Sequence, residues 1–261
     1  MARFDQVALD GRIVPLGAAV LPVTDHGLLR GDGVFEVIRL YDGVPFALDE
    51  HLARMAVSAA NLRLPLDLAA VEADVRAVLA ANEPGDCALR LVVTRGGHRL
   101  AMFEALPAYD RPLRLRTVTF SPTRILDGVK SLSYAGNMLA TRLAQEEGAD
   151  EALLVTPHGR VLEAPTSTFF YVVDGEGLCT PPLDDHILDS ITRRHVLAVT
   201  DAHERITTRD DIPRMREAFL ASTLREVQAV AHIDDHDLPA TGASTAAAAA
   251  RVGERIRQAL A

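Results

Sequence analysis

The sequence predicts an α+β protein in two parts, a small N-terminal α/β domain over 1–120 and a larger, β-rich domain over 130–261. Three observations carry this. Two Asp-Gly dipeptides, Asp10-Gly11 and Asp42-Gly43, stand between short apolar runs, which marks hairpins because both turn positions tolerate positive φ. Two helical patterns follow the second hairpin and end at Glu83-Pro84-Gly85. The stretch 121–129, opened by Ser121-Pro122, then breaks the pattern and reads as a connector.

In chain order, QVALDGRIVPL and VFEVIRLYDGVPFAL are the hairpins. A helix near 49–62 sets Leu52, Met55, Ala56 and Ala59 on one face. A second, near 67–82, is opened by Asp67. CALRLVVT (87–94) is a strand, RGGHR a turn, and LRLRTVTF (113–120) another strand. Past the connector come a helix over 136–147, ended by Gly148, and a meander of EALLV, RVLEA and TFFYVV around Pro157-His158-Gly159. LCTPP follows the Asp174-Gly175 turn, and Ser190 caps a helix to about 199. AFLA and EVQAVAHI read as strands around a turn at Ser222-Thr223. The tail 241–260, with alanines at 246–250, reads as a surface helix.

Bulk properties exclude several classes. A net charge of −9 and a pI near 5.5 argue against nucleic acid, whose phosphates need a basic face. No apolar run reaches the length of a membrane span, and MARFDQVALDG lacks the apolar centre of a signal peptide. Two cysteines, Cys87 and Cys179, both flanked by strands, read as buried thiols in a reducing cytoplasm. The nine histidines are scattered, and no Cys/His set has metal-ligand spacing.

The stretch GVKSLSYAGN poses a chemical question. Of 27 basic residues only Lys130 is a lysine. A GC-rich genome would favour arginine and leave one lysine by chance. Lysine, however, can lose its proton when desolvated and form a Schiff base, which arginine cannot. Three later segments bear on the choice. Glu163 closes RVLE, Thr192 lies in the first turn of the Ser190 helix, and Thr223 lies in a turn between strands. Hydroxyls and backbone N–H groups at a helix start and a turn suit a phosphate, although Thr192 also suits a plain helix start and Glu163 a solvated strand end. An imine-forming lysine, a phosphate cup and a carboxylate for a ring nitrogen are what pyridoxal phosphate needs.

The order KSLSYAGNMLA, GADEALLV, GRVLEA, TPPL, ILDSITR, FLASTLREV resembles the class IV aminotransferases, the fold-type IV pyridoxal-phosphate enzymes. DHGLLRGDGVFEVIRLYDG and EHLARM resemble that family's opening motifs, so the likeness covers nearly the whole chain. It implies pyridoxal 5'-phosphate as cofactor and a site at the domain junction of a homodimer. Lys130 matches the lysine that holds the cofactor as an aldimine and shuttles the substrate's proton. Glu163 matches the carboxylate on the pyridine nitrogen, and Arg54 the arginine on the phosphate. Ile191, Thr192 and Thr223 match further phosphate contacts, and Leu188 the apolar residue against the ring. Two departures stand out. Glu163-Ala164-Pro165-Thr166 replaces the family's frequent Glu-Gly-Ser/Thr, and Tyr134 lies one place earlier than the tyrosine of branched-chain members.

For the substrate, Arg90 interrupts an apolar strand and Arg30 sits where a partner-subunit loop enters the site in this family; the two are the candidate carboxylate clamp, with Tyr134 as a possible wall. Arg95, His98 and Arg99 read as solvated. The likeness implies amino acid and 2-oxo acid substrates, with D-amino-acid transamination ahead of aminodeoxychorismate lyase and branched-chain transamination. Glu36-Val37, where lyases tend to carry threonine, tilts the choice. A cofactor-free Schiff-base aldolase would need a strand–helix barrel that this hairpin-rich chain lacks, and a non-catalytic cofactor-binding protein would show no half-reaction.

Overall fold

The computed structural model describes residues 4–240 and 242–260. The chain divides into two compact units: one holds the chain up to Pro107 with Gly128–Tyr134 and Leu260, the other Ala108–Asp127 and Ala135–Ala259.

The first unit is an antiparallel sheet backed by helices. Its strands are β1 (Gln6–Leu9), β2 (Arg12–Pro15), β3 (Gly33–Tyr41), β4 (Val44–Pro45), β5 (Cys87–Thr94) and β6 (Arg99–Glu104), in the order β2-β1-β6-β5-β3-β4. Both Asp-Gly turns form, with Asp10 and Asp42 at positive φ. Helix α1 (His26–Arg30) precedes β3, and α2 (Leu48–Asn61) and α3 (Leu68–Asn82) follow it. Asp67 caps α3 as expected, accepting from Ala70 N at 3.0 Å. Val34, Ile38 and Leu40 of β3 pack with Leu52, Met55 and Ala59 of α2 and Val71, Val75 and Val78 of α3. The sequence reading does not contain α1, too short for a helical period, or β6, which pairs with β5 beyond the Gly96-Gly97 turn.

The second unit is built on β7 (Leu113–Thr119), β8 (Glu151–Val155), β9 (Thr168–Val173), β10 (Gly177–Thr180), β11 (His203–Glu204), β12 (Met215–Ser222), β13 (Glu226–Ile233) and β14 (His236–Asp237). The order is β11-β10-β9-β12-β13-β7-β8, with β14 on β13. Helices α4 (Ala135–Glu146), α5 (Ile191–Val199) and α6 (Ala243–Leu260) complete it. Strand β7 corrects the expected division at 120: it lies between β13 and β8, parallel to both, so its partners are in the later sequence. Residues 130–134, expected to open the second domain, group with the first unit, together with 128–129 of the expected connector. RVLEA is not a full strand; among the described residues it makes isolated bridges, Arg160 to Thr208, Val161 to Val155 and Ala164 to Ser167. The expected tail helix forms as α6; position 241 lies outside the described residues, and Glu217 anchors the helix start by accepting from Thr245 N at 2.9 Å.

Cys87 and Cys179 are buried free thiols, and burial pushes the Cys87 thiol up to about 11. Among the described residues no helix is long and apolar enough to cross a membrane, and no His/Cys/Asp/Glu group could hold a metal ion.

Candidate active site

In the first unit, the Lys130 segment is laced onto the start of β3. Phe35 N donates to Lys130 O (3.1 Å), Leu132 N donates to Gly33 O (2.9 Å), and Val34 bridges Ser131. Lys130 N donates to Ser58 Oγ of α2 at 3.1 Å. Gly33 is required by this closeness, since a Cβ there would lie 2.5 Å from Val93 O and 2.6 Å from Leu132 Cδ1. The Lys130 side chain runs over aromatic rings: Nζ is 4.3 Å from the Phe35 centroid and 5.6 Å from that of Tyr134. The two rings meet edge to face, at 5.3 Å and 88°. Tyr134 therefore borders the lysine.

Behind Lys130 lies a buried ionic cluster. Glu36, 0% exposed, accepts from Arg54 Nε at 2.8 Å and Nη2 at 2.6 Å, and from His51 Nδ1 at 2.8 Å. Burial pushes the Glu36 carboxyl up, but the hydrogen bonds from Arg54 and His51 outweigh it and hold the group down at about 2. Burial pushes His51 down, so the ring is neutral near pH 7 and donates from Nδ1 to the ionised Glu36. Arg54, expected as a phosphate contact, is thus locked in orientation by a two-point grip.

Arg90 belongs to the same neighbourhood. Its Cζ lies 5.6 Å from the Phe35 ring that also carries Lys130 Nζ, while Glu104 of β6 holds Nε at 2.6 Å and Nη2 at 2.9 Å. Arg30 ends α1 and is exposed. Its helix is fixed by Asp25, which accepts from Gly27 N at 2.7 Å and from the Thr94 hydroxyl at 2.8 Å. Arg95, His98 and Arg99, expected to be solvated, are instead tied down. Arg95 pairs with Asp32, His98 with Asp10, and Arg99 with the buried Asp74.

In the second unit, Glu163 and Leu188 come together: Leu188 N donates to Glu163 Oε1 at 3.1 Å. The Ser190 side chain accepts from Arg193 N at 3.3 Å, and Arg194 N donates to Ser190 O at 3.1 Å. That arrangement leaves the first N–H groups of α5, on Ile191 and Thr192, pointing out of the helix end, where an anion is favoured. Thr192 is buried and Thr223 is half-buried in the β12–β13 turn. A shielded amine with fixed backbone, an oriented carboxylate and an open helix start suit an aldehyde, a ring nitrogen and a phosphate respectively, so the residues fit pyridoxal phosphate.

The sequence reading missed Glu36, His51, Phe35 and Glu104 as parts of this arrangement. The signal for Glu36 is present, because a period of two places it on the same face of β3 as the buried Val34, Ile38 and Leu40. A buried acid there demands partners, and His51 and Arg54 share the inner face of α2 at i, i+3 spacing.

Comparison with known proteins agrees with this chemistry. The model of the family amino-transferase class IV matches residues 33–233. A Methanocaldococcus jannaschii protein named as a branched-chain-amino-acid aminotransferase is 36% identical over 256 residues, covering 88% of each chain. A D-alanine aminotransferase of Bacillus licheniformis is 32% identical over 252 residues, again covering 88% of each. Among solved structures, a hypothetical aminotransferase from Mycobacterium tuberculosis in its PLP-bound form superposes with a TM-score of 0.86 at 28% identity, covering 97% of this chain and 99% of that one.

Proposed function

The chain belongs to the class IV aminotransferases, enzymes that work with pyridoxal phosphate, and from that premise we propose that it moves an amino group between a D-amino acid and a 2-oxo acid, with Lys130 as the catalytic lysine. The observation that carries the reading is Lys130 itself, its backbone fixed on β3 and its Nζ held 4.3 Å over Phe35. Pyridoxal phosphate, when bound, supplies an electron sink for the carbon that bears the amino group. Lys130 takes and returns the proton at the substrate's Cα. Glu163, oriented by Leu188 N–H, would hold the proton on the ring nitrogen. Arg54, Ile191, Thr192 and Thr223 would hold the phosphate, and Leu188 would pack on the ring.

Arg90, oriented by Glu104, and Arg30 from a second copy form the carboxylate clamp, with Tyr134 as a wall. A homodimer also accounts for the exposed apolar residues Leu16, Val20, Val23, Leu28 and Leu29 between β2 and β3, which a second copy would cover. Two buried thiols suit a reducing compartment, so the cytoplasm is the proposed location. Replacing Arg90 or Arg30 with alanine raises KM for amino acids about 10- to 100-fold, the worth of a charge-assisted carboxylate contact, and hardly changes KM for amines without a carboxylate. Equal effects on both substrate types would remove the clamp.

The near-visible absorbance of the cofactor-loaded protein tests the substrate. D-alanine converts the band and L-leucine does not. Conversion by L-leucine alone would install the branched-chain reading, which the 36%-identical relative favours. A yellow protein that responds to neither donor would put aminodeoxychorismate cleavage first.

A further inference from the structure

Glu151 has no place in the reaction described so far, yet its two oxygens join the segments of the second unit that carry Glu163 and Thr223. It opens β8 and is buried. Oε1 accepts from the Thr166 hydroxyl at 3.2 Å, and Oε2 accepts from Arg225 Nη2 at 2.7 Å.

The Thr166 end is a closed turn. Ala164 N donates to Ser167 O at 2.9 Å and Ser167 N to Ala164 O at 3.3 Å, which leaves Pro165 and Thr166 at the tip, directly after Glu163. Leu154 N of β8 donates to Glu163 O at 2.9 Å, and Asn137 of α4 donates to Pro165 O at 3.1 Å. The Thr166 hydroxyl adds a side-chain tie to β8, the strand that already holds Glu163 by its backbone. The Arg225 end is a short loop. Ser222 pairs with Glu226, so Thr223, Leu224 and Arg225 are the whole connection between β12 and β13. In so short a loop, fixing Arg225 restrains Thr223 two positions away. The Arg225 side chain is 8% exposed, with Cζ 5.1 Å from the Tyr109 ring centroid. Among the described residues, its Nε and Nη1 find no hydrogen-bond partner, so the bond to Glu151 is what orients the guanidinium. Both charges are shielded from solvent, which spares the pair the screening that weakens surface ion pairs.

We propose that Glu151 is a positioning residue for the cofactor: through Thr166 it fixes the turn that follows Glu163, and through Arg225 the loop that carries Thr223. Ring nitrogen and phosphate belong to one small, nearly rigid molecule, so their partners must keep a set spacing, and small displacements are costly. The proposal rests on the amino-transfer reading, in which Glu163 takes the ring nitrogen and Thr223 the phosphate.

Two readouts test it without turnover. With pyridoxal phosphate isotope-labelled at the ring nitrogen, the NMR resonance of the loaded enzyme reports the proton on that nitrogen. The ratio of the dissociation constants for pyridoxal and pyridoxal phosphate reports the grip on the phosphate. T166V, at an exposed position, moves the resonance toward the unprotonated form and leaves the ratio alone. R225Q lowers the ratio about 10-fold, the low end of the worth of a hydrogen bond to a charged group. R225K, which keeps the charge but loses the planar fork, recovers part of it. E151Q changes both readouts. A wild-type resonance in T166V, or a wild-type ratio in R225Q, would overturn the assignment, and a fall in melting temperature alone would leave Glu151 a structural partner of Arg225. Failure of the amino-transfer reading shows in different variants: E163Q would leave the resonance unmoved and T223V would leave the ratio unmoved.

Discussion

Replacing Lys130 with alanine lowers amino transfer by at least about 10⁴-fold, the upper end of what a positioned acid–base group supplies, before counting its loss as the anchor of the cofactor. Lys130→Arg should be no better: it keeps the cation over Phe35 and Tyr134 but cannot deprotonate at useful pH. The pair of variants therefore separates charge from nucleophilicity. Neither should unfold the protein. The contacts that fix this segment use the backbone of Lys130, which bonds to Phe35 N and to Ser58 Oγ whatever the side chain is. Single-turnover measurements with an amino donor, beside a thermal melt, check both halves of the expectation. A Lys130→Ala enzyme within about 100-fold of wild type would remove the lysine from the mechanism. A large fall in melting temperature would instead make it structural.

Much of this was legible before any coordinates, for definite physical reasons. The Asp-Gly turns read correctly because positive φ at those positions is a local demand that few residues meet. Ser190 and Asp67 read as helix starts because capping is equally local. Lys130, Glu163 and Leu188 were visible as a motif order, and a hydrogen bond joins Leu188 N to Glu163. What stayed hidden is non-local. β7 resembles any amphipathic strand, and nothing within 113–119 says that its neighbours are β8 and β13. RVLEA alternates like a strand, but the chain holds it to isolated bridges. The Glu104 partner of Arg90 was hidden because it lies on β6, a strand that the sequence reading left out. Arg95, His98 and Arg99 looked solvated because their carboxylates come from Asp32, Asp10 and Asp74, far along the chain.

Glu36 yields the largest expected effect on stability. Its carboxylate is the common acceptor for Arg54 and His51, all three buried, so Glu36→Gln takes from the Arg54 guanidinium the carboxylate that grips it at two points. Removing one partner of a buried ion pair costs about 3–5 kcal/mol. For a chain of this size that is a fall of roughly 10 °C in melting temperature, read by calorimetry. The double variant Glu36→Gln, Arg54→Met should recover part of the loss, because apolar packing replaces a buried charge that has lost its carboxylate. Cofactor retention should not recover, since Arg54 is the proposed phosphate contact; that split distinguishes stability from binding. The same cluster sets an acid limit. Glu36 is held at about 2 in the folded protein against an ordinary 4.5, so its stabilisation is complete above about 4.5 and is lost as the pH falls toward 2. The shift corresponds to roughly 3 kcal/mol. Wild type should therefore lose melting temperature steeply across that window, and Glu36→Gln, which has no proton to take up, should not show that component. Parallel pH profiles for the two proteins would mean that Glu36 is not the group that ties folding to acid.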